Sequence, residues 1–270
     1  MNFKERIREI SIGGTIGRRI VFLDSVSSTN DIAFEISGKP DIPEGTVVIA
    51  DSQTRGRGRM GRQWVSPPGR NLYFTVLLSP TLDPRESQLI SLMAAAAAAA
   101  AIRDSSQLKA EIKWPNDILV NNRKTGGILT ESKIKGSKIS LIALGIGINV
   151  NMTNDELGDL STIATSLMIE KGSKVDRVML LGRILQELEH YYKILLDGNK
   201  GALINDWLRL NSTIGNYVQI RSGEETISGH AEGLTENGEL IVRKPSGEFR
   251  VVHQGEVTLI KNNNENQSPS

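Results

Sequence analysis

The chain has 270 residues, 39% hydrophobic and 23% charged, enough for one sizeable core and a small second domain. Its 32 basic and 31 acidic side chains leave a net charge of +1, and an isoelectric point of about 7.9 is not that of a nucleic-acid-binding domain with a wide basic footprint. There is no cysteine, which excludes a disulfide scaffold, a thiolate zinc site and a cysteine acyl-enzyme.

Met1 to Ile10 places Phe3, Ile7 and Ile10 at helical spacing and stops at Gly13-Gly14. This charged segment lacks the apolar stretch of a signal peptide. No run along the chain is apolar for long enough to span a bilayer, so a cytoplasmic location without a membrane partner is expected. A first strand covers Arg19 to Leu23, and Ser27-Ser28-Thr29-Asn30 can cap a helix from about Asp31 to Ser37. Strands at Gly45 to Asp51 and Asn71 to Leu78 bracket an arginine-rich loop. Ser91 to Arg103 holds eight consecutive alanines, Ala94 to Ala101, which read as a helix packed closely on a sheet. Ala110 to Trp114, Ile118 to Val120, Lys124 to Lys133 and Lys138 to Ile148 form an antiparallel meander, with a turn at Asn121-Asn122. Val175 to Leu196 is a long amphipathic helix and Gly201 to Leu210 a second one. Beyond Ser212, β-like runs at Asn216 to Arg221, Glu225 to His230, Glu239 to Val242, Phe249 to His253 and Val257 to Ile260 suggest a small barrel. The tail NNNENQSPS reads as disordered. His190, His230 and His253 are scattered and offer no metal spacing.

Three segments place polar or basic groups beside glycines at strand ends. In RGRGRMGRQW, Arg55 to Trp64, glycines 56, 58 and 61 can turn backbone N–H groups inward as an anion-binding concavity. Arg57, Arg59 and Arg62 add guanidinium forks suited to phosphate or carboxylate; a solvated basic turn is the alternative. In Lys113 to Glu131, Asn116 and Asp117 sit at a break made by Trp114-Pro115, and Lys124 stands beside Gly126-Gly127, open to an anionic ligand. The alternative is a surface hairpin using these residues only for turn geometry. In LGIGINVN, Gly145 and Gly147 share one face of a strand, where a flat apolar body can lie, or where tight packing needs the space. The third glycine of a dinucleotide fingerprint is missing.

In this order the segments resemble a biotin–protein ligase, the enzyme that activates biotin with ATP and attaches it to a carrier-domain lysine. The resemblance rests on SSTN (Ser27 to Asn30), Gln53 with GRGRMGRQW (Gly56 to Trp64), KWPND (Lys113 to Asp117), RKTGGIL (Arg123 to Leu129) and GIGIN (Gly145 to Asn149). It covers about Ile20 to Ile260. The resemblance implies an α+β catalytic domain at 1–212, a mixed or antiparallel sheet with helices on one side. A small SH3-like β-barrel follows at 213–261, then a disordered tail at 262–270.

By the same resemblance, Ser28, Thr29 and Gln53 hydrogen-bond the ureido end of biotin, with Asn30, Gly56 and Gly58 also in the biotin site. Trp64 walls the apolar rings, and Gly127, Gly145 and Gly147 floor the groove. Arg57, Arg59 and Lys124 meet the biotin carboxylate and the ATP phosphates, while Arg62, Trp64, Asn116 and Asn149 serve the nucleotide. Arg59, Lys124, Asp117 and Lys113 form the catalytic set, with Asp117 orienting or deprotonating the incoming lysine. Mg²⁺ arrives on ATP, without dedicated protein ligands. The implied partner is a biotin carboxyl carrier domain, and a homodimer through an exposed sheet edge is open. Two departures stand out. The roughly twenty residues before the first strand cannot hold the DNA-binding helix-turn-helix domain of many bacterial members, so no DNA binding is expected. Met60 also replaces a residue that is often basic.

A carboxylate attacking ATP brings two anions together, so cationic neutralisation is the first requirement. The mixed anhydride formed is prone to hydrolysis, which a mobile glycine-rich lid would prevent by closing. A lipoate–protein ligase shares the adenylation logic, but its flexible acyl chain has no use for a ureido-reading pocket. A nucleic-acid module using the arginine loop as a basic arm needs interleaved aromatics, and only 4% of residues are aromatic.

Overall fold

Strand and helix boundaries follow the apolar periodicity closely in the computed structural model, which describes residues 3–10, 13–136 and 138–260. The expected disordered tail lies outside the described residues. A short helix α1 (Phe3–Ile7) precedes β1 (Ile20–Val26), α2 (Thr29–Ile36), β2 (Val47–Gln53), β3 (Leu72–Leu78) and α3 (Ser87–Ser106). The meander follows as β4 (Ala110–Lys113), β5 (Asp117–Val120), β6 (Arg123–Lys135) and β7 (Lys138–Ile148). Then come α4 (Asn154–Leu157), α5 (Leu167–Lys171), α6 (Arg177–Leu196) and α7 (Lys200–Leu210). The chain ends in β8 (Tyr217–Ser222), β9 (Glu225–Leu234), β10 (Leu240–Arg243), β11 (Phe249–Val252) and β12 (Glu256–Leu259).

The first seven strands make one mixed sheet in the order β1-β2-β3-β7-β6-β5-β4. Only β1 and β2 run parallel, and α2 is the crossover that parallel pairing requires. Every residue of the central strand β3 is buried, because the sheet is covered on both faces. Leu72, Phe74, Val76 and Leu78 face the large core with α3, α6 and α7. Leu77, with Val48 of β2, faces Ala33 of α2 in a separate cluster. The expectation of helices on one side is therefore corrected: the long helices share one face, but α2 lies on the other.

Alanines bring α3 close to the sheet and to α6 at once, and Ala94 to Ala99 are fully buried. This helix also corrects the expectation about apolar runs. Pro84–Ser106 has the length of a bilayer-spanning segment and holds an 18-residue stretch of mean hydropathy 1.2, but 72% of that stretch is buried inside the protein. It is a core helix.

The last five strands form an antiparallel sheet in the order β11-β10-β9-β8-β12. It is anchored to the first by Trp114, whose backbone N–H donates to Thr213 Oγ1 at 2.9 Å and whose indole N–H donates to the Gly238 carbonyl at 3.0 Å.

Candidate active site

Register carries the chemistry to one face. Lys113 pairs with Asp117, Asp117 with Gly127, Gly127 with Gly147 and Gly147 with Tyr73, a row crossing five strands. Partners in such a row point to the same side of a sheet, here the side away from the long helices. Regular alternation from Gly126, which faces the core beside Ile118 and Ile148, would send Lys124 into that core too. A bulge intervenes: Ile118 pairs with Gly126 but Leu119 with Lys124, and the extra residue returns Lys124 to the open face. Its ammonium lies 2.5 Å from Asp117 Oδ1, with Lys113 Nζ at 3.4 Å from Asp117 Oδ2. These residues border a cavity of about 1250 Å³ that extends to the C-terminal sheet.

At the other end of the row α2 enters. Ser28 is its N-cap but its hydroxyl makes no capping bond; buried, it lines the cavity instead. Gln53 Oε1 accepts from the Thr29 backbone N–H at 2.9 Å and its hydroxyl at 3.2 Å, while Gln53 Nε2 donates to Ser66 Oγ at 3.0 Å. Asn30 is fully engaged, accepting from the Thr75 hydroxyl at 2.6 Å and donating to Glu131 at 2.6 Å.

The glycines leave room for the protein's own groups. A Cβ on Gly147 would lie 2.7 Å from the Trp64 indole, and one on Gly127 would lie 3.4 Å from both Trp64 and Lys124. The flat apolar body on this strand face is therefore Trp64 itself, with Lys124 Nζ 5.5 Å from its ring centroid. A Cβ on Gly145 would meet Asn30 Oδ1 at 2.5 Å. Because Asn30 is held by Thr75 and Glu131, Gly145→Ala should cost about 1–3 kcal/mol as an overpacking substitution. Denaturant unfolding checks this, and an unchanged midpoint would show that Asn30 yields freely.

The arginine loop folds back as a hairpin neck, with Arg57 bridged to Gln63, Gly58 N–H donating to Arg62 O and Trp64 N–H to Gly56 O. Met60 takes φ 56° at the tip. Arg57, Arg59 and Arg62 each have their own side-chain partners. Arg59 Nη1 donates to Asn116 Oδ1 at 2.9 Å, and burial pulls its guanidinium pKa down against the opposing pull of Asp117 and Glu256. Arg62 pairs with Glu256 of β12, which Arg221 also reaches at 3.2 Å. The Arg62 hydrogen bond holds the Glu256 carboxyl below the usual range. Arg57 forks Asp31 at 2.8 and 2.9 Å and reaches Glu131 at 3.1 Å.

Residues 22–149 match the Biotin/lipoate A/B protein ligase family and residues 213–259 the Biotin protein ligase C terminal domain. The bifunctional ligase/repressor BirA of Bacillus subtilis (strain 168) is 34% identical over 245 residues, covering 90% of this chain and 75% of that protein. The chain belongs to the biotin protein ligase family. The biotin–[acetyl-CoA-carboxylase] ligase of Paracoccus denitrificans is 32% identical over 230 residues, covering 83% of this chain and 94% of that one. The biotin protein ligase from Aquifex aeolicus, solved in complex with biotin and ATP, superposes with a TM-score of 0.72 at 28% identity, over 91% of this chain and all of that one.

Against this biotin protein ligase background, most of the expected site residues meet at one cavity. Ser28, Thr29, Asn30, Gln53, Arg57, Gly58, Arg59, Arg62, Trp64, Lys113, Asn116, Asp117, Lys124, Gly127, Gly145, Gly147 and Asn149 all border it. Gly56 is the exception among them. It is buried in the neck, where a Cβ would meet Trp64 O at 2.5 Å and Ser66 Oγ at 2.7 Å, so its part is to close the hairpin. Arg57 borders the cavity but is spent on Asp31 and Glu131, and Asn30 on Thr75 and Glu131.

Sequence reading missed the flap from Leu157 to Ala164, whose Ile163 carbonyl accepts from Lys124 N–H at 2.9 Å. The nearly buried Glu170 carboxylate gathers residues that flank this flap, accepting from Thr165 Oγ1 at 2.5 Å, Asn121 at 2.6 Å and, at 2.5 Å, Arg123, which also donates to the Ser161 carbonyl at 3.4 Å. A carboxylate in a short helix, two residues before Gly172, carries no pattern that points to such a role. Glu256 was likewise missed, since no local signal joins β12 to a loop almost two hundred residues earlier.

Proposed function

We infer that the chain is an ATP-dependent biotin–protein ligase. The biotin carboxylate attacks the α-phosphorus of ATP, a new P–O bond forms and pyrophosphate leaves, giving biotinyl-5′-AMP. A lysine amine of a biotin carboxyl carrier domain then attacks the acyl carbon, losing its proton as AMP departs. The observation that carries this reading is the row across β4 to β3. It sets the Lys124–Asp117–Lys113 cluster near the Arg59–Asn116 contact, with the Thr29–Gln53 network at the other end of the same cavity. Two converging anions need such cationic groups, already fixed and shielded from water.

In this reading Ser28, Thr29 and Gln53 take the ureido group, and Trp64 covers the rings. Lys124 and Arg59 neutralise the reacting carboxylate and phosphates, with Asn116, Asn149 and Arg62 on the nucleotide side, and Asp117 orients the incoming amine. Mg²⁺ would enter on the triphosphate; among the described residues no group of three or more Asp, Glu or His side chains gathers to hold one. The division near residue 212 and an SH3-like curl of the C-terminal strands complete the reading. A register shift between Ile241 and Val242 supports the curl, since bulges bend sheets.

Pyrophosphate exchange decides between acyl substrates. Biotin should drive exchange and lipoate should not, and biotin should then appear on a lysine of a carrier domain. Exchange driven equally by lipoate would move the reading to the other branch of the family.

A further inference from the structure

Asp31 and Glu131 belong to none of the motifs on which the ligase reading rests, and neither borders the cavity. Both nevertheless hold the root of its lid. Asp31, in the first turn of α2, takes both arms of the Arg57 guanidinium at 2.8 and 2.9 Å. Glu131 stands on β6, opposite Ala143 of β7, and accepts from Arg57 at 3.1 and 3.3 Å. The hydrogen bonds donated to Asp31 and the pull of Glu131 drive the guanidinium pKa far above its ordinary value, and Arg57 in turn holds the Asp31 carboxyl low. Both ends of the contact stay charged throughout the neutral range.

Arg57 is a strategic residue to hold. It lies in the hairpin neck, bridged to Gln63, so fixing it fixes the base on which Arg59, Met60 and Gly61 ride. Glu131 does a second thing at the same time. Its Oε2 accepts from Asn30 Nδ2 at 2.6 Å, and Asn30 follows Thr29, the residue bonded to Gln53. One carboxylate thus joins the base of the lid to the recognition end of the pocket. The contacts are half-exposed, with side-chain accessibilities of 36% for Arg57, 43% for Asp31 and 35% for Glu131, as a joint that must open for ligand entry requires.

We propose that Asp31 and Glu131 are positioning residues that keep the lid down over the acyl-adenylate, setting how long the intermediate is retained without setting how fast it forms. The proposal rests on the ligase reading. It separates two functions that share the loop: Arg59 and Lys124 face the reacting groups, while Arg57 and its two carboxylates work the joint.

The test compares the full-length enzyme with D31N, E131Q and the D31N/E131Q double variant, in two assays. Biotin-dependent pyrophosphate exchange reads formation of the adenylate. Labelling of bystander lysines on serum albumin reads its escape. The double variant should keep its exchange rate near wild type and release adenylate about tenfold faster, as expected for loss of charge-assisted, partly exposed contacts. E131Q alone, which keeps the side-chain shape, should raise escape by about threefold on the same reasoning, and it answers the question if the double variant does not fold. Escape unchanged in E131Q and D31N would overturn the proposal. So would escape that rises only in step with falling exchange and a falling thermal midpoint, the pattern of a general packing role. Wild-type enzyme without biotin-dependent exchange would instead remove the ligase reading, and this proposal with it.

Discussion

Lys124→Ala should lower biotin-dependent pyrophosphate exchange by about a hundred- to a thousandfold, the usual effect of deleting one preorganised group that stabilises developing charge, while biotin affinity falls far less. The asymmetry comes from where the side chain sits. Its ammonium is 2.5 Å from Asp117 and 5.5 Å from the Trp64 ring centroid, at the middle of the row and apart from the Thr29–Gln53 network built by α2 and β2. Removing it does more than subtract one cation. Among the described residues Asp117 would retain one close ion pair, with Lys113 at 3.4 Å, and the longer-range pull of Arg59 and Arg62. That leaves a less well compensated carboxylate where a second carboxylate and a triphosphate have to converge. The ground state of biotin alone meets little of that repulsion; the encounter with ATP meets all of it. Exchange kinetics together with biotin titration check the split. An unchanged exchange rate would take Lys124 out of the chemistry, and equal losses in both would make it a binding residue only.

That lysine also shows how far the sequence could be read. The strand over Lys124 to Lys133, the turn at Asn121-Asn122 and the glycine pair were all legible from alternation and turn chemistry, because those signals are local. Which face Lys124 points to was not. It depends on one inserted residue between Gly126 and Lys124, and a bulge leaves no mark in the hydrophobic pattern. The same limit explains Trp64 and the glycines. Alternation correctly put Gly145 and Gly147 on one face with room above them, but not that the protein fills the room with Trp64 and Asn30. Ser28 was legible as a cap position, yet its hydroxyl makes no capping bond and the residue borders the cavity instead. Loop charge was legible as charge only. Arg57, Arg59 and Arg62 look equivalent in RGRGRMGR, whereas their carboxylate and amide partners lie 26, 57 and 194 positions away, and only tertiary structure tells them apart.

Those distinct partners predict the outcome of Arg59→Gly, which should release activated biotin about ten- to a hundredfold faster than wild type, as when a lid loses a charge-assisted contact and gains backbone freedom together. The lid has three tethers: Arg57 at its base, Arg62 to the C-terminal sheet, and Arg59 to Asn116 of the KWPND segment. Arg62 and Glu256 border the cavity as well, but only the third tether ends on the segment that carries Asp117, and of the three only Arg59 has its guanidinium pKa lowered by burial. Cutting it leaves the ends of the loop pinned and the middle loose. Adenylate should therefore still form, at a reduced rate because a cation has been lost, but water and foreign amines should reach it. Arg59→Lys separates the two effects: the charge returns without the planar fork that meets Asn116, so formation should recover more than retention does. Labelling of bystander lysines, with pyrophosphate exchange measured in parallel, reads both quantities. Tight retention in Arg59→Gly would mean that the two outer tethers suffice to seal the site and that Asn116 serves the nucleotide without holding the lid.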